Sequence, residues 1–356
     1  MLKKFFTLIF TLIIFTSTAS AAPDSRTTLI CALSSMASYS GEINLLMLSM
    51  LHDHGWEINP IEEKFEKTRV RSFLISKPDE NLKIISICGT ESDKDLLTDI
   101  RFGKISYNDQ AKDQAMVHRG FLNYTDELLN LIREEILNFN GKIIVTGHSL
   151  GGAVAILTSA RLIDLGISPD QIEVVTFGAP AVGDKIFADE FSDRMNLTRF
   201  ENDGDVIPKS LASMGYTSFG EKIELNPREL GDKNPHAMSL YLDCAIRSFI
   251  DESEPIEPTE KIQIEGIKDP RYVDWILHDG LRTDSKYRIE EKIEVTKIRE
   301  SNGKIDRVEL TELIYDLNGN LLTMQSVSST TKDLTIIECA RFLQEKLQRD
   351  RESLLN

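Results

Sequence analysis

The pentapeptide GHSLG at residues 147–151 constrains the fold of this chain more than any other stretch. It directly follows an apolar run, residues 142–146, and directly precedes a stretch of small residues with helical spacing. A serine between a strand and a helix is typical of a strained elbow that exposes the hydroxyl, and the flanking glycines remove side chains that would clash there. The sequence therefore predicts that Ser149 is a nucleophile; a purely structural turn is the alternative.

Apolar runs and helical patterns alternate on both sides of this pentapeptide. The runs at residues 70–75 and 82–88 flank the turn KPDEN and are expected to pair as strands. A helix is predicted over residues 121–139, a strand over 143–145, a small-residue helix over 153–165 and a strand over 172–177. This order of strands and helices predicts parallel crossovers and therefore an α/β fold.

The pattern changes after ESEPIEPTE, residues 252–260, which concentrates acidic residues and two prolines. Two Asn-Gly turns then separate strand-like stretches, which predicts an antiparallel meander, and a closing helix is expected over residues 334–347. We therefore expect a main domain at residues 22–252, a linker at 253–260 and a small α+β appendage at 261–356, whose role the sequence leaves open.

The first 21 residues have the pattern of a signal peptide. Lys3 and Lys4 precede an apolar run and a small-residue stretch, which predicts cleavage after Ala21. The apolar run is shorter than the roughly 20 residues of a transmembrane helix, and an uncleaved anchor is the alternative. We expect a secreted or periplasmic protein, in which the four cysteines could form up to two disulfides, although the apolar run around Cys88 favours a buried thiol there.

The charge balance restricts the partners of the chain. It has 57 Asp and Glu against 41 Lys and Arg, a net charge of −16, which cleavage of the signal peptide would take to −18. Binding to a phosphate backbone needs Lys and Arg to displace counterions, so a nucleic-acid partner is excluded. The same charge disfavours contact with strongly anionic membranes.

A serine nucleophile needs an imidazole to take its proton and a carboxylate to orient that imidazole. In folds with this elbow the acid and then the histidine follow the serine along the chain. Two histidines do so, and His236, before an apolar helix start, is favoured over His278, which lies beyond the linker. Asp205 is the expected acid; its rival Asp203 is better explained as a turn residue before Gly204.

Further motifs follow one another along residues 70–250. They are CGTES (88–92) with Asp95 and Asp99, VHRGF (117–121), VTGHSLGGAVA (145–155), TFGAPAVGD (176–184), NDGDVIP (202–208) and HAMSLYL (236–242). With these motifs the chain resembles the class 3 lipase family, the fungal-lipase-like α/β-hydrolases. The resemblance implies an α/β-hydrolase fold with a mostly parallel sheet.

The resemblance also implies a role for individual residues. Ser149 would be the nucleophile, Asp205 the orienting acid and His236 the base. Thr90 would be the oxyanion residue, and its backbone N–H would act together with the backbone N–H of Leu150.

The stretch after Thr90 matches the family less closely. Asp99 matches an acid that supports the oxyanion residue, and residues 93–116 match the position of a lid, for which an ordinary covering loop is the alternative. Cys88 stands where an arginine is common, and Leu96 stands where a lid tryptophan is common. These two departures concern the packing of the lid and leave the triad intact.

The resemblance implies an exported serine carboxylester hydrolase of lipase type. It would hydrolyse acylglycerols or related lipid esters through an acyl-enzyme on Ser149, at a lipid–water interface and with peripheral membrane contact. A phospholipase or a short-chain or feruloyl-type esterase is the close alternative, because acyl-chain choice depends on pocket shape. An inactive lipid-binding or scaffold protein is the alternative from another class.

No metal or cofactor is expected for this chemistry. The stretch His52-Asp53-His54 is better explained as a surface turn before Gly55 than as a metal site. The stretch DLNGN, residues 316–320, lacks the glycine that a calcium-binding EF-hand loop has at its sixth position, so it is expected to form a hairpin turn.

Overall fold

The fold is taken from a computed structural model. It describes residues 22–39, 55–66, 68–89, 103–108, 114–227, 234–252, 274–278, 287–298, 305–316 and 318–355. The predicted signal peptide, the linker and most of the predicted lid lie outside the described residues. So do three groups of residues named above: Thr90, Asp99 and the stretch His52-Asp53-His54.

A seven-stranded sheet forms the centre of the main domain, in the order β1-β2-β3-β6-β7-β8-β9. Strands β1 to β3 pair antiparallel, and β3, β6, β7, β8 and β9 pair parallel. The strands are β1 (Glu57–Lys64), β2 (Arg69–Lys77), β3 (Leu82–Ile87), β6 (Lys142–His148), β7 (Ile172–Phe177), β8 (Asn196–Asn202) and β9 (Glu221–Leu225). The expected mostly parallel α/β-hydrolase sheet is confirmed. A short hairpin of β4 (Lys104–Ser106) and β5 (Met116–His118) lies apart from it.

Helices cover both faces of this sheet, which is why its central strands are almost continuously apolar. They are α1 (Ser25–Ala37), α2 (Arg119–Leu137), α3 (Leu150–Asp164), α4 (Lys185–Phe191) and α5 (Met238–Glu252). Successive residues of one strand face opposite layers: Val145 packs with α2 and α3, whereas Ile144 packs with α1 and α5. Within the described ranges, no helix combines the length and apolarity needed to cross a membrane.

Two helices begin earlier than the sequence predicts. Helix α2 begins at Arg119 rather than residue 121, because the His118 side chain accepts a hydrogen bond from the Phe121 backbone N–H at 3.3 Å and caps the helix. Helix α3 begins at Leu150 rather than residue 153 and so includes Gly151 and Gly152. Glycine is needed there because the helix packs closely on the sheet: a Cβ on Gly151 would lie 2.2 Å from the Ile87 carbonyl oxygen.

The predicted antiparallel meander and closing helix are confirmed in the C-terminal part. Four strands pair in the order β10-β11-β12-β13, and helix α6 packs on β12 and β13. Helix α6 begins at a capping box, since the Thr335 N–H donates to Glu338 Oε2 at 2.9 Å and the Glu338 N–H donates to Thr335 Oγ1 at 3.2 Å. The elements are β10 (Asp274–His278), β11 (Tyr287–Ile298), β12 (Ile305–Asp316), β13 (Leu321–Thr330) and α6 (Ile336–Leu355).

The four cysteines are present as thiols. The expected burial of Cys88 is confirmed, and Cys31 and Cys339 are buried as well. Burial raises the pKa of the Cys31 thiol above its ordinary value. These side chains therefore contribute to the core as small apolar groups.

Truncation of Ile144 tests the layered core. The side chain is buried between the sheet and helices α1 and α5, so Ile144→Ala is expected to lower the free energy of unfolding by about 2–5 kcal/mol in urea denaturation. Leu131→Ala on helix α2 is the control: its side chain is 44% exposed, and a loss below about 1 kcal/mol is expected. Equal losses in the two variants would contradict the assignment of faces.

Candidate active site

Ser149 lies in a tight turn between β6 and α3. Its backbone has φ 58° and ψ −125°, a conformation that costs a non-glycine residue about 1–3 kcal/mol. Hydrogen bonds hold it there: the Ser149 N–H donates to the Phe177 carbonyl at 2.9 Å, and the Ala153 N–H donates to the Ser149 carbonyl at 3.1 Å. A Cβ on Gly147 would lie 2.4 Å from the Gly151 carbonyl carbon, so the turn needs glycine there. The predicted elbow is present.

The structure brings Ser149, His236 and Asp205 together. Ser149 Oγ lies 2.8 Å from His236 Nε2, and His236 Nδ1 lies 2.8 Å from Asp205 Oδ2. Asp205 follows β8 through a turn in which its N–H donates to the Asn202 carbonyl at 3.0 Å, and His236 lies just before α5. This is the geometry in which an imidazole takes a proton from a serine while a carboxylate orients the ring.

Asp205 stays ionised although it is buried. Burial alone would raise its pKa, but hydrogen bonds from His236, from the Tyr241 hydroxyl at 2.6 Å and from the Ile207 N–H at 2.9 Å outweigh burial and hold the pKa of Asp205 below its ordinary value. Burial raises the pKa of Tyr241, so its hydroxyl remains a donor. The carboxylate is therefore fixed in orientation by three donors.

The backbone around His236 is held on both sides. The His236 N–H donates to Asn234 Oδ1 at 3.0 Å, and Asn202 Nδ2 donates to the Pro235 carbonyl at 2.8 Å. The His236 carbonyl lies 2.8 Å from His148 Nε2. The imidazole thus projects from a loop with few remaining degrees of freedom.

His148 is a neutral support beside the triad. Burial, followed by the proximity of His236, lowers the pKa of His148 to about 3. Since the His236 carbonyl can only accept, His148 Nε2 must carry the proton, and Nδ1 then accepts from the Tyr39 hydroxyl. A neutral imidazole is therefore used as a fixed donor rather than as a base.

The N-terminus of α3 places a backbone N–H donor next to Ser149. Leu150 is the first residue of α3, so its backbone N–H has no acceptor within the helix and lies at the positive end of the helix dipole. The end of β3 approaches the same point, because a Cβ on Gly151 would lie 3.0 Å from the Gly89 nitrogen. Thr90 directly follows Gly89 and, like Asp99, lies outside the described residues.

Gly178 lies against the triad on the side of β7. Its φ is 58°, and a Cβ there would lie 2.8 Å from Asp205 Oδ2, 2.9 Å from the Tyr241 hydroxyl and 3.1 Å from His236 Cε1. Any side chain at residue 178 would displace the acid or the imidazole.

Three supports of the triad were not identified from the sequence as functional: His148, Gly178 and Tyr241. Gly178 and Tyr241 lie in stretches that carry the family resemblance, TFGAPAVGD and HAMSLYL, and His148 belongs to the pentapeptide itself. The one available indication was therefore their position within these motifs. Their contacts are made by side chains or backbone on neighbouring strands and helices, which a local pattern does not specify.

The other candidates from the sequence do not join the site. Asp203 lies in the turn before Gly204, whose φ is 82°, as expected for a turn residue. His278 lies in β10 of the C-terminal sheet. Among the described residues, no group of three or more His, Cys, Asp or Glu side chains is arranged to hold a metal ion.

Residues 84–214 match the family described as lipase (class 3). A lipase from Rhizomucor miehei is 32% identical over 143 residues, which cover 38% of this chain and 39% of that protein. Phospholipase A1-II 3 from Oryza sativa subsp. japonica is 29% identical over 163 residues, which cover 36% of this chain and 39% of that protein. In both cases the chain spans about two fifths of the relative's length.

A solved structure is similar as well. The lipase from Rhizopus microsporus var. chinensis has 22% sequence identity, and the similarity covers 58% of this chain and 76% of that chain with a TM-score of 0.49.

Removal of the Tyr241 hydroxyl tests the support of the acid. Tyr241→Phe is expected to lower kcat for p-nitrophenyl butyrate about 10-fold with KM little changed, because Asp205 loses a charge-assisted hydrogen bond that orients it. Tyr124→Phe is the matched control, since that buried hydroxyl donates to the Arg71 carbonyl at 2.7 Å and takes no part in the triad. A similar loss of kcat in both variants would refute a specific role of Tyr241.

The low pKa of His148 predicts a pH-dependent stability. Between pH 6.5 and about 3 the unfolded chain binds a proton at His148 that the folded chain does not, so the stability contributed by the neutral ring is present above pH 6.5 and is lost as pH falls. From pH 7 to pH 5, wild type is expected to lose about 2 kcal/mol more stability than His148→Gln. Urea denaturation at both pH values measures this, and equal losses would contradict it.

Proposed function

We propose that the chain, whose residues 84–214 match the class 3 lipase family, is a serine carboxylester hydrolase of lipase type. One observation carries this proposal. Ser149, His236 and Asp205 form a hydrogen-bonded chain with both distances at 2.8 Å, and the serine lies in a strained elbow at the N-terminus of a helix. An arrangement of this kind activates a serine hydroxyl for acyl transfer.

The proposed reaction has two steps. Ser149 Oγ attacks the ester carbonyl carbon while His236 Nε2 takes the hydroxyl proton, and the tetrahedral intermediate collapses as His236 returns that proton to the leaving alcohol. Water then attacks the acyl-enzyme, His236 takes a proton from the water, and Ser149 regains a proton as the carboxylic acid leaves. Asp205 stays ionised throughout and stabilises the imidazolium that forms in each step.

The developing oxyanion would be stabilised by two backbone donors. The Leu150 N–H, at the positive end of helix α3, is one donor, and the Thr90 N–H is the other. Each such donor contributes about 3–4 kcal/mol to transition-state stabilisation in serine hydrolases. Asp99 is proposed to support Thr90.

The proposed substrates are acylglycerols or related lipid esters at a lipid–water interface. Val206, next to Asp205, exposes 73% of its surface and would contact lipid at the rim of the site. The similarity to both a fungal lipase and a plant phospholipase A1 keeps a phospholipase as the alternative, together with a short-chain or feruloyl-type esterase. No metal or cofactor takes part in the proposed reaction.

The proposed location is outside the cytoplasm, secreted or periplasmic, after removal of the signal peptide at residues 1–21. The hydrolase domain would then consist of residues 22–252, followed by the linker and the appendage. Peripheral contact with neutral or zwitterionic lipid fits the net charge of the chain better than contact with anionic lipid.

A chain-length series of p-nitrophenyl esters tests the function. Ser149→Ala is expected to lower kcat by at least about 10⁴-fold, since the nucleophile is removed. Ser192→Ala is the control: its hydroxyl is exposed and donates to the Asp189 carbonyl on helix α4, so activity should be unchanged. Retention of full esterase activity by Ser149→Ala would refute the mechanism, and an inactive wild type would favour the lipid-binding or scaffold alternative.

The same series separates lipase from esterase. A lipase should prefer long acyl chains and gain activity when neutral lipid vesicles or emulsified substrate supply an interface. A preference for short chains without interfacial gain would assign the chain to the esterases.

A further inference from the structure

The C-terminal appendage contacts the helix that directly follows the catalytic histidine. Helix α5 begins two residues after His236, and its apolar residues Leu242 and Ile246 share one buried cluster with Ile336 and Ile337 of α6. The appendage therefore packs on a helix of the active-site region rather than on a remote surface.

A buried cluster of charged groups connects the two parts. Arg247 of α5 donates through Nε to Asp243 of the same helix at 3.2 Å and through Nη2 to Asp306 of β12 at 2.6 Å. Asp243 Oδ1 also accepts from the Ile336 N–H, the first of α6, at 3.0 Å. Both carboxylates are buried. A guanidinium between two carboxylates from different elements defines distance and orientation, because its donors have a fixed geometry.

Helix α5 carries this cluster and the support of Asp205 on different faces. Tyr241 and Asp243 are two residues apart, about 200° around a helix, whereas Asp243 and Arg247 are four apart and share a face. Tyr241 donates to Asp205, and its oxygen accepts from the Asn202 N–H at 3.0 Å. The helix is thus held on one side by the appendage and in contact with the catalytic acid on the other.

We propose that the appendage is a positioning element for the triad. Its attachment through Asp306, Arg247 and Asp243 sets the rotation of helix α5, and Tyr241 transmits that rotation to Asp205. The inference rests on the proposed function, and it assigns Asp306 and Arg247 as positioning residues of the same site.

A double-variant cycle in the full chain tests the proposal. Asp306→Asn keeps the shape of the side chain but removes its charge, and we expect kcat for p-nitrophenyl butyrate to fall about 5-fold with KM unchanged. In the Tyr241→Phe background, where the connection to Asp205 is already removed, Asp306→Asn should lower kcat by less than about 2-fold. Equal fold-losses in the two backgrounds would overturn the proposal.

Glu173→Gln is the matched control. Glu173 is a buried carboxylate that pairs with Lys142 at 2.5 Å, at the opposite end of β6 and β7 from the triad. The Glu173→Gln variant should leave kcat unchanged. A loss of kcat equal to that of Asp306→Asn would overturn the proposal, because any broken ion pair would then have the same effect. If Asp306→Asn fails to unfold cooperatively, Arg247→Lys replaces it, since lysine keeps the charge but cannot bridge both carboxylates in the same way.

A measurement without turnover separates this inference from the proposed function. If wild type hydrolyses no ester, the proposed function fails, and the downfield proton NMR signal of the His236–Asp205 hydrogen bond then decides the inference. A shift or broadening of this signal by Asp306→Asn, but not by Glu173→Gln, supports the positioning role. An unchanged signal overturns it.

Discussion

The active-site geometry depends on the parallel register of three neighbouring strands, β6, β7 and β8. His148 pairs with Phe177, and Phe177 pairs with Phe200, so the chain leaves all three strands at one edge of the sheet. Ser149 and Asp205 follow the first and the third of these strands and meet through a single imidazole. A register shift of one residue would turn each side chain to the other face of the sheet. The core packing that holds the register therefore holds the serine and the acid at a fixed separation.

Burial adds a second requirement, because polar groups at this edge are shielded from water. An unpaired buried polar group costs about 1–3 kcal/mol, more than a typical hydrogen bond contributes. The site meets this requirement by using both nitrogens of His148 and both carboxylate oxygens of Asp205. Each of these hydrogen bonds therefore pairs a buried polar atom and also fixes the orientation of the side chain that carries it. In the proposed mechanism, supports such as Tyr241 therefore orient the acid without themselves reacting.

Much of this architecture could be predicted from the sequence because the signals are local. The elbow at Ser149 and the two sheets follow from apolar runs, glycines and turns, whereas the order of acid and histidine follows from the fold that the elbow indicates. Tyr241 could not be assigned, because its role depends on which face of helix α5 meets Asp205 in the folded chain. The helix starts were wrong for a related reason. The cap at His118 is a side-chain contact, and the glycines of α3, which would weaken an isolated helix, are tolerated where close packing on the sheet requires them.

The contact between the C-terminal part and helix α5 combines apolar packing with directional hydrogen bonds. Apolar packing alone is non-directional and tolerates sliding, whereas the hydrogen bonds of Arg247 to Asp243 and Asp306 have preferred angles. Buried charges are an expensive way to join two surfaces, since their desolvation offsets much of their attraction. Their presence at this contact is therefore better explained by orientation than by stability. In the proposed positioning role, an orientation imposed on helix α5 would reach Asp205 through Tyr241, two residues from Asp243.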